Sequence, residues 1–303
     1  MQFLNLKLML FGSSHGKGVG FLIEGLDPGL KFNDYLLRQI LNSYYKHSLR
    51  KEEKYVVLSG INEQNLTVGS NLVIFFPNVD FKKEDYENLK IPFHGYEAAQ
   101  VRYLSMMDLK GSGELSGRCY APVTVFPSFL EDKLHKSKII VTTKILKIGN
   151  VNNTSPSFQE EVSTMFKLDE SKTYGGIVQG TITGVPKGIG REGFGKVDSL
   201  ISHALFDIPG VKGVTFGPEY DLKRITESPE VKKDDMGGIE AGLTNGSPIV
   251  VNVYFKPPFG KTTKVGRHDQ TIVFKGELII KGLLTLISYD LVKEYERIHP
   301  QKN

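Results

Sequence analysis

With 303 residues, 40% hydrophobic and 24% charged, the chain can bury a large core, which excludes disorder as its resting state. A net charge of +4 with scattered lysines and arginines suits a small anionic ligand and speaks against nucleic acid, because no aromatic-basic interleaving offers a stacking surface. The single cysteine, Cys119, excludes an intramolecular disulfide framework and a thiolate metal cluster and reads as a small packed residue in a reducing compartment. The opening Met-Gln-Phe-Leu-Asn-Leu-Lys lacks the pattern of a secretion signal, and no run approaches the ~20 apolar residues of a membrane span. A cytoplasmic protein without membrane contact is expected.

In chain order, an apolar strand runs into Gly12-Ser13-Ser14-His15-Gly16, and a second strand ends at Phe21-Leu22-Ile23-Glu24-Gly25. The turn at 26–30 leads to a helix near 34–45, where Leu37, Ile40, Leu41 and Tyr44 recur at helical spacing and Asn33 is placed to cap it. Strands follow at Tyr55–Leu58 and Asn71–Phe76. Lys138–Val151 reads as a strand, and Pro156–Lys167 as a helix with Ser155 as cap and Pro156 in its first turn. The plan then repeats: strand Ile177–Thr183, a Gly/Pro turn at 184–189, a helix near 196–207, and strands Val211–Phe216 and Ile249–Phe255. A helix from Glu277 to Arg297, apolar at Leu283, Leu284, Ile287 and Leu291, closes the chain in a packing role. With no linker-like segment, the reading is a single domain over 1–303. It is built from two related halves, about 1–125 and 172–303, joined by the strand-helix segment.

Three short motifs concentrate chemistry. His15 and His94 each sit in a turn bounded by glycine or proline, in Gly12-Ser13-Ser14-His15-Gly16 and Pro92-Phe93-His94-Gly95, where small neighbours admit a bulky ligand beside an imidazole. Either histidine alone is a weak signal, and His15 by itself reads more readily as a surface turn. Gly266-Arg267-His268-Asp269 combines an anion donor, an imidazole and a carboxylate behind a basic loop holding Lys261 and Lys264; a salt-bridged structural turn is its plain alternative. Glycine clusters at 110–113 and 237–246 allow close backbone approach to a ligand, yet neither has the order of a dinucleotide fingerprint. Nothing has metal-ligand spacing, so no metal site is expected.

Taken together and in order, these residues resemble the chorismate synthase family over nearly the whole chain. The matches are the G-x-S-H-G start at Gly12–Gly16, Leu58-Ser59-Gly60, Gly184-Val185-Pro186 with Gly188-Ile189-Gly190, Val211-Lys212-Gly213-Val214, Gly237-Gly238-Ile239, Thr244-Asn245-Gly246-Ser247-Pro248-Ile249, Lys256-Pro257 and Gly266-Arg267-His268-Asp269. The resemblance implies an α+β fold, a β-α-β sandwich with an internal pseudo-twofold repeat, assembled as a homotetramer. It implies a lyase that uses reduced FMN to convert 5-enolpyruvylshikimate 3-phosphate to chorismate. The flavin would be reduced by NADPH on the protein itself or by an external flavin reductase. Of the catalytic residues it implies, His15 and His94 serve flavin protonation and protonation of the departing phosphate, and Asp269 assists proton removal through the flavin N5. Ser116, Pro209, Gly210, Ala241, Lys256, Pro257, Pro258, Phe259, Gly260 and Arg267 fall where the family holds FMN. Arg50, Lys110 and Arg118 are the candidates for the substrate phosphate.

The chain also departs from the family pattern. Ser13 replaces a glutamate, the arginine-rich loop after the first helix is shortened to Ser43-Tyr44-Tyr45-Lys46-His47, R-P-G-H-A-D becomes Ile91-Pro92-Phe93-His94-Gly95-Tyr96, and Glu114 stands for an arginine. Lys172 replaces an aspartate and Pro258 a threonine. Each lost arginine removes a charge-assisted contact of roughly 1.5–3 kcal/mol. This leaves a second reading open, a catalytically inactive relative that binds a flavin or a phosphorylated ligand.

Overall fold

The computed structural model describes residues 1–13, 16–46, 54–78, 117–217, 236–258, 262–263, 266–267 and 269–300. β1 (Lys7–Gly12) and β2 (Gly18–Glu24) form a hairpin, followed by α1 (Asp34–Lys46), β3 (Val56–Ser59) and β4 (Leu72–Pro77). These strands make an antiparallel sheet in the order β1-β2-β4-β3. A 3₁₀ segment, Gly117–Val125, and α2 (Pro127–Lys136) lead into β5 (Ile140–Ile148), β6 (Val151–Asn152), α3 (Phe158–Leu168) and β7 (Gly176–Thr183). Then come α4 (Val197–Phe206), β8 (Val211–Phe216), the short hairpin β9 (Ile239–Glu240) and β10 (Leu243–Thr244), and β11 (Ile249–Phe255). β12 (Thr262–Thr263), β13 (Gly266–Arg267) and α5 (Val273–Ile298) finish the chain.

The second sheet runs β6-β5-β7-β11-β8. Apart from β6, its order β5-β7-β11-β8 repeats β1-β2-β4-β3 strand for strand, with α4 placed between its strands in sequence as α1 is in the first sheet. Period-two alternation seats each sheet: Leu72, Ile74 and Phe76 of β4 are buried while Val73, Phe75 and Pro77 are half-buried. The register sets Phe21 beside both Leu10 and Ile74, so one face of the first sheet is continuous core.

Between the sheets lies a helical layer. α5 packs on β5 and β7 from one side and on the 3₁₀ segment, α2 and α1 from the other. Every residue from Gly282 to Val292 is buried, as a helix enclosed on all sides requires. Gly282 permits the close approach, since a Cβ there would meet the Val123 carbonyl oxygen at 2.1 Å. Thr285 and Ser288 satisfy their hydroxyls on the carbonyls of Lys281 and Leu284, one turn back.

The far half of α5 anchors the amino-terminal segment, the Asp27 turn and Arg191 through charge. Asp290 accepts the backbone N–H groups of Leu4 and Asn5, both at 2.8 Å. Glu294, fully enclosed, accepts from Arg297 and Arg191 at 2.7 Å each, which holds its carboxyl well below the usual range. Burial pushes Asp290 the other way. Asp27, in the turn before α1, accepts from Tyr289 and Lys293; these bonds outweigh its desolvation and keep its carboxyl low.

The elements differ from expectation at a few places. The strand expected over 138–151 is two strands, because Gly149 takes φ 57° and turns β5 back into β6. The helix expected from Pro156 begins at Phe158 with Ser157, not Ser155, in the cap position; both hydroxyls instead reach the Glu161 carboxylate. α5 begins four residues before Glu277, where the Thr271 hydroxyl accepts the Val273 N–H. Asn33 caps α1 as expected, its Oδ1 accepting the Leu36 N–H at 3.0 Å. Cys119 is buried. Among the described residues no helix is long and apolar enough to cross a membrane.

Candidate functional site

The β1–β2 turn forms because Gly12, at φ 93°, brings the chain so close to Gly18 that a Cβ would sit 2.2 Å from its carbonyl oxygen. The Ser13 N–H then donates to Gly18 O at 3.1 Å, and the Gly16 N–H to Ser13 O at 3.2 Å. Asn78, just past β4, fastens this turn from outside. Its Nδ2 donates to Ser13 O at 3.2 Å and Gly16 O at 2.8 Å, and its Oδ1 accepts from Arg118 Nη2 at 3.2 Å. Arg118, in the half-buried first turn of the 3₁₀ segment, is thereby held against the residues that flank Ser14 and His15. Nothing in the spacing of the sequence marks Asn78.

A second group converges where β8 starts and β11 ends. Val211 pairs with Phe255, and the Lys256 N–H donates to Gly210 O at 2.9 Å. Gly210 takes φ 92° and abuts Ile272, whose Cδ1 would lie 2.5 Å from an added Cβ. Thr173 Oγ1 donates to Pro258 O at 2.7 Å while the next N–H, of Tyr174, donates to Gln270 O at 2.7 Å. Thus the Pro209-Gly210 pair, Lys256, Pro257, Pro258 and Asp269 share one wall, with Thr173 and Tyr174 as a hub that sequence reasoning missed.

Asp269 is sheltered, its side chain 24% exposed. It accepts at 2.5 Å from Lys275 Nζ, itself 17% exposed. Lys275 lies in the first turn of α5, where a cation opposes the helix dipole, so the pair with Asp269 and the Tyr44 ring 5.7 Å from Nζ offset an unfavourable position. Tyr44 belongs to α1, so the helix of the first sheet and the central helix meet here. Gln270 fixes the adjoining backbone by donating to Phe166 O at 3.0 Å.

Ala241 is elsewhere in the chain. It adopts φ 52°, uncommon for a residue with a side chain, in the β9–β10 turn. The neighbouring Gly242 O accepts the Val197 N–H at the start of α4, whereas Gly210 lies past its end. A helix of this length puts ~15 Å between them. Of the other candidates, Arg267 is placed by its backbone in β13, paired with Thr262. His15, His94, Ser116, Phe259, Gly260, Arg50 and Lys110 lie outside the described residues.

Comparison with known proteins places the fold and the family. A family model described as Chorismate synthase matches residues 6–292. The chorismate synthase of Aeropyrum pernix is 28% identical over 354 aligned positions, covering 97% of this chain and 93% of the relative. That of Pyrococcus abyssi is 29% identical over 339 positions, covering 94% and 95%. A crystal structure of chorismate synthase superposes with a TM-score of 0.75 at 20% identity over 97% of this chain and 93% of that one, which shows a shared fold. With its sandwich order, its glycine turns and a family match spanning nearly its whole length, the chain belongs to the chorismate synthase family.

Proposed function

We propose that the chain is a lyase of the shikimate pathway that converts 5-enolpyruvylshikimate 3-phosphate to chorismate with reduced FMN. The observation that carries this reading is the sheltered Asp269–Lys275 pair, tied through the backbone of Gln270 and Tyr174 and the Thr173 hydroxyl to the Gly210–Lys256–Pro258 segment. In the reaction a ring C–H bond breaks and its electron pair enters the new diene. The C–O bond to phosphorus breaks with its pair leaving on inorganic phosphate, so no net redox change occurs. Asp269 assists removal of the ring proton, and His15 and His94 are the acid-base groups serving the flavin and the departing phosphate. Arg118, with Arg50 and Lys110, holds the phosphate.

Pro209, Gly210, Lys256, Pro257 and Pro258 fit a flat, anionic group, since a basic side chain and backbone polar groups meet apolar rings there; Arg267, Ser116, Phe259 and Gly260 would complete the binding. When bound, the reduced flavin supplies electron chemistry that side chains lack. NADPH, used directly or through a separate reductase, is the proposed source of its electrons, and the cytoplasm the proposed location.

Self-association, as a tetramer, is supported by the outer face of the first sheet. There Phe11 and Phe75 lie flat across Gly20 and Gly18, with Met9, Val56 and Leu58 exposed beside them. The shared strand order supports two related halves in one domain. The test of function is phosphate release from the substrate with dithionite-reduced FMN under anaerobic conditions. Release that Asp269→Asn slows by ~10²–10⁴-fold supports the reading, whereas folded protein that binds FMN and releases nothing supports the inactive relative.

A further inference from the structure

We infer that Asn78 is a positioning residue that ties the histidine turn to the phosphate-holding arginine; this rests on the lyase reading above. A carboxamide offers one acceptor oxygen and two donor hydrogens, and here each is committed. The oxygen accepts from Arg118 Nη2, and the two hydrogens go to the carbonyls of Ser13 and Gly16, on either side of Ser14 and His15. The backbone is fixed as well, because the Asn78 N–H donates to Lys17 O at 2.9 Å. Arg118 and the turn come from segments about a hundred residues apart in sequence, and this one side chain bonds to both. When phosphate draws the Arg118 guanidinium, the displacement is delivered through Asn78 to the turn that carries His15.

The donor and acceptor ends separate cleanly by substitution. Asn78→Asp keeps an acceptor for Arg118 but places negative oxygen against two carbonyls, releasing the turn. Asn78→Ala releases both partners. Three measurements decide the matter in wild type and both variants: the substrate Kd without flavin, steady-state kinetics (kcat and KM) with reduced FMN, and amide hydrogen exchange at Ser13, Gly16 and Gly18. Asn78→Asp is expected to hold Kd within about 3-fold while kcat falls ~10–100-fold and exchange in the turn rises ~10-fold. Asn78→Ala is expected to raise Kd ~10-fold as well, by loosening Arg118. Unchanged turn exchange in both variants overturns the inference. So does faster exchange along the whole of β1 and β2 with a falling melting temperature, the mark of a purely structural residue. A wild-type protein that folds, binds and does not turn over refutes the lyase reading alone, because Kd and exchange still decide the role of Asn78.

Discussion

At the scale of single residues, the site works through short-range partners that no linear motif announces. Gly266-Arg267-His268-Asp269 is legible because its chemistry lies in consecutive residues. The lysine that orients Asp269 follows six positions later, around a turn and into a helix. Asn78 is hidden for the same reason, since its partners come from β1–β2 and the 3₁₀ segment. Asp269→Asn should lower kcat by ~10²–10⁴-fold, the usual worth of a general base, with FMN affinity nearly unchanged in a fluorescence titration. Lys275→Met should show the same pattern more weakly and Lys275→Arg should recover most of it; an equal loss of FMN affinity in the methionine variant would move Lys275 to a binding role.

Glu294 gives a pH prediction whose sign follows from its depressed carboxyl. A group lowered in the folded state contributes its full stabilisation above the ordinary glutamate range and loses it as pH falls toward the folded value. Glu294→Gln should therefore cost about 1.5–3 kcal/mol at neutral pH in urea melts. The deficit should shrink below about pH 4. A deficit that stays constant with pH would show that the ion pairs with Arg191 and Arg297 do not supply the stability.

At the scale of elements, β8 and β11 match the sequence reading end to end, because short runs rich in β-branched and aromatic residues and bounded by glycine or proline favour a strand over a helix. The start of α5 was less legible, since Gly276 interrupts the helical signal in its first turns. The structure shows its purpose: the Phe255 ring occupies the space, 2.5 Å from where a Cβ would be. The 3₁₀ segment and α2 gave no expectation, as Pro122 and Pro127 break the periodicity and packing against α5, α1 and neighbouring strands holds them in place. Gly282→Ala weighs two effects. Helix propensity favours alanine by about 1 kcal/mol, but the Cβ would strike a backbone oxygen that cannot rotate away. Overpacking wins, and a net loss of ~1–3 kcal/mol in thermal or urea unfolding is expected.

At the scale of the whole molecule, two sheets of equal strand order enclose one central helix, and the charged groups on that helix bind the amino-terminal strand region and the Arg191 loop to it. A recurring strand, turn, helix, strand, strand order was readable, but not that β5, read as part of the joining segment, takes in the second sheet the place that β1 has in the first. Which faces meet was not, because apolar alternation alone does not distinguish a core face from an interface face. Leu58 is 60% exposed in the first sheet, and Leu58→Asp should convert the assembly to smaller species in light scattering without lowering the melting temperature of the subunit. Unaltered mass would remove this face from the interface.

The central claim is tested most directly by measuring chorismate and inorganic phosphate together, under anaerobic conditions, from 5-enolpyruvylshikimate 3-phosphate and catalytic reduced FMN. An active lyase gives equal amounts of both products, with the flavin still reduced at the end and Asp269→Asn forming them ~10²–10⁴-fold more slowly. Phosphate without chorismate, or neither product from folded protein with bound FMN, would contradict it.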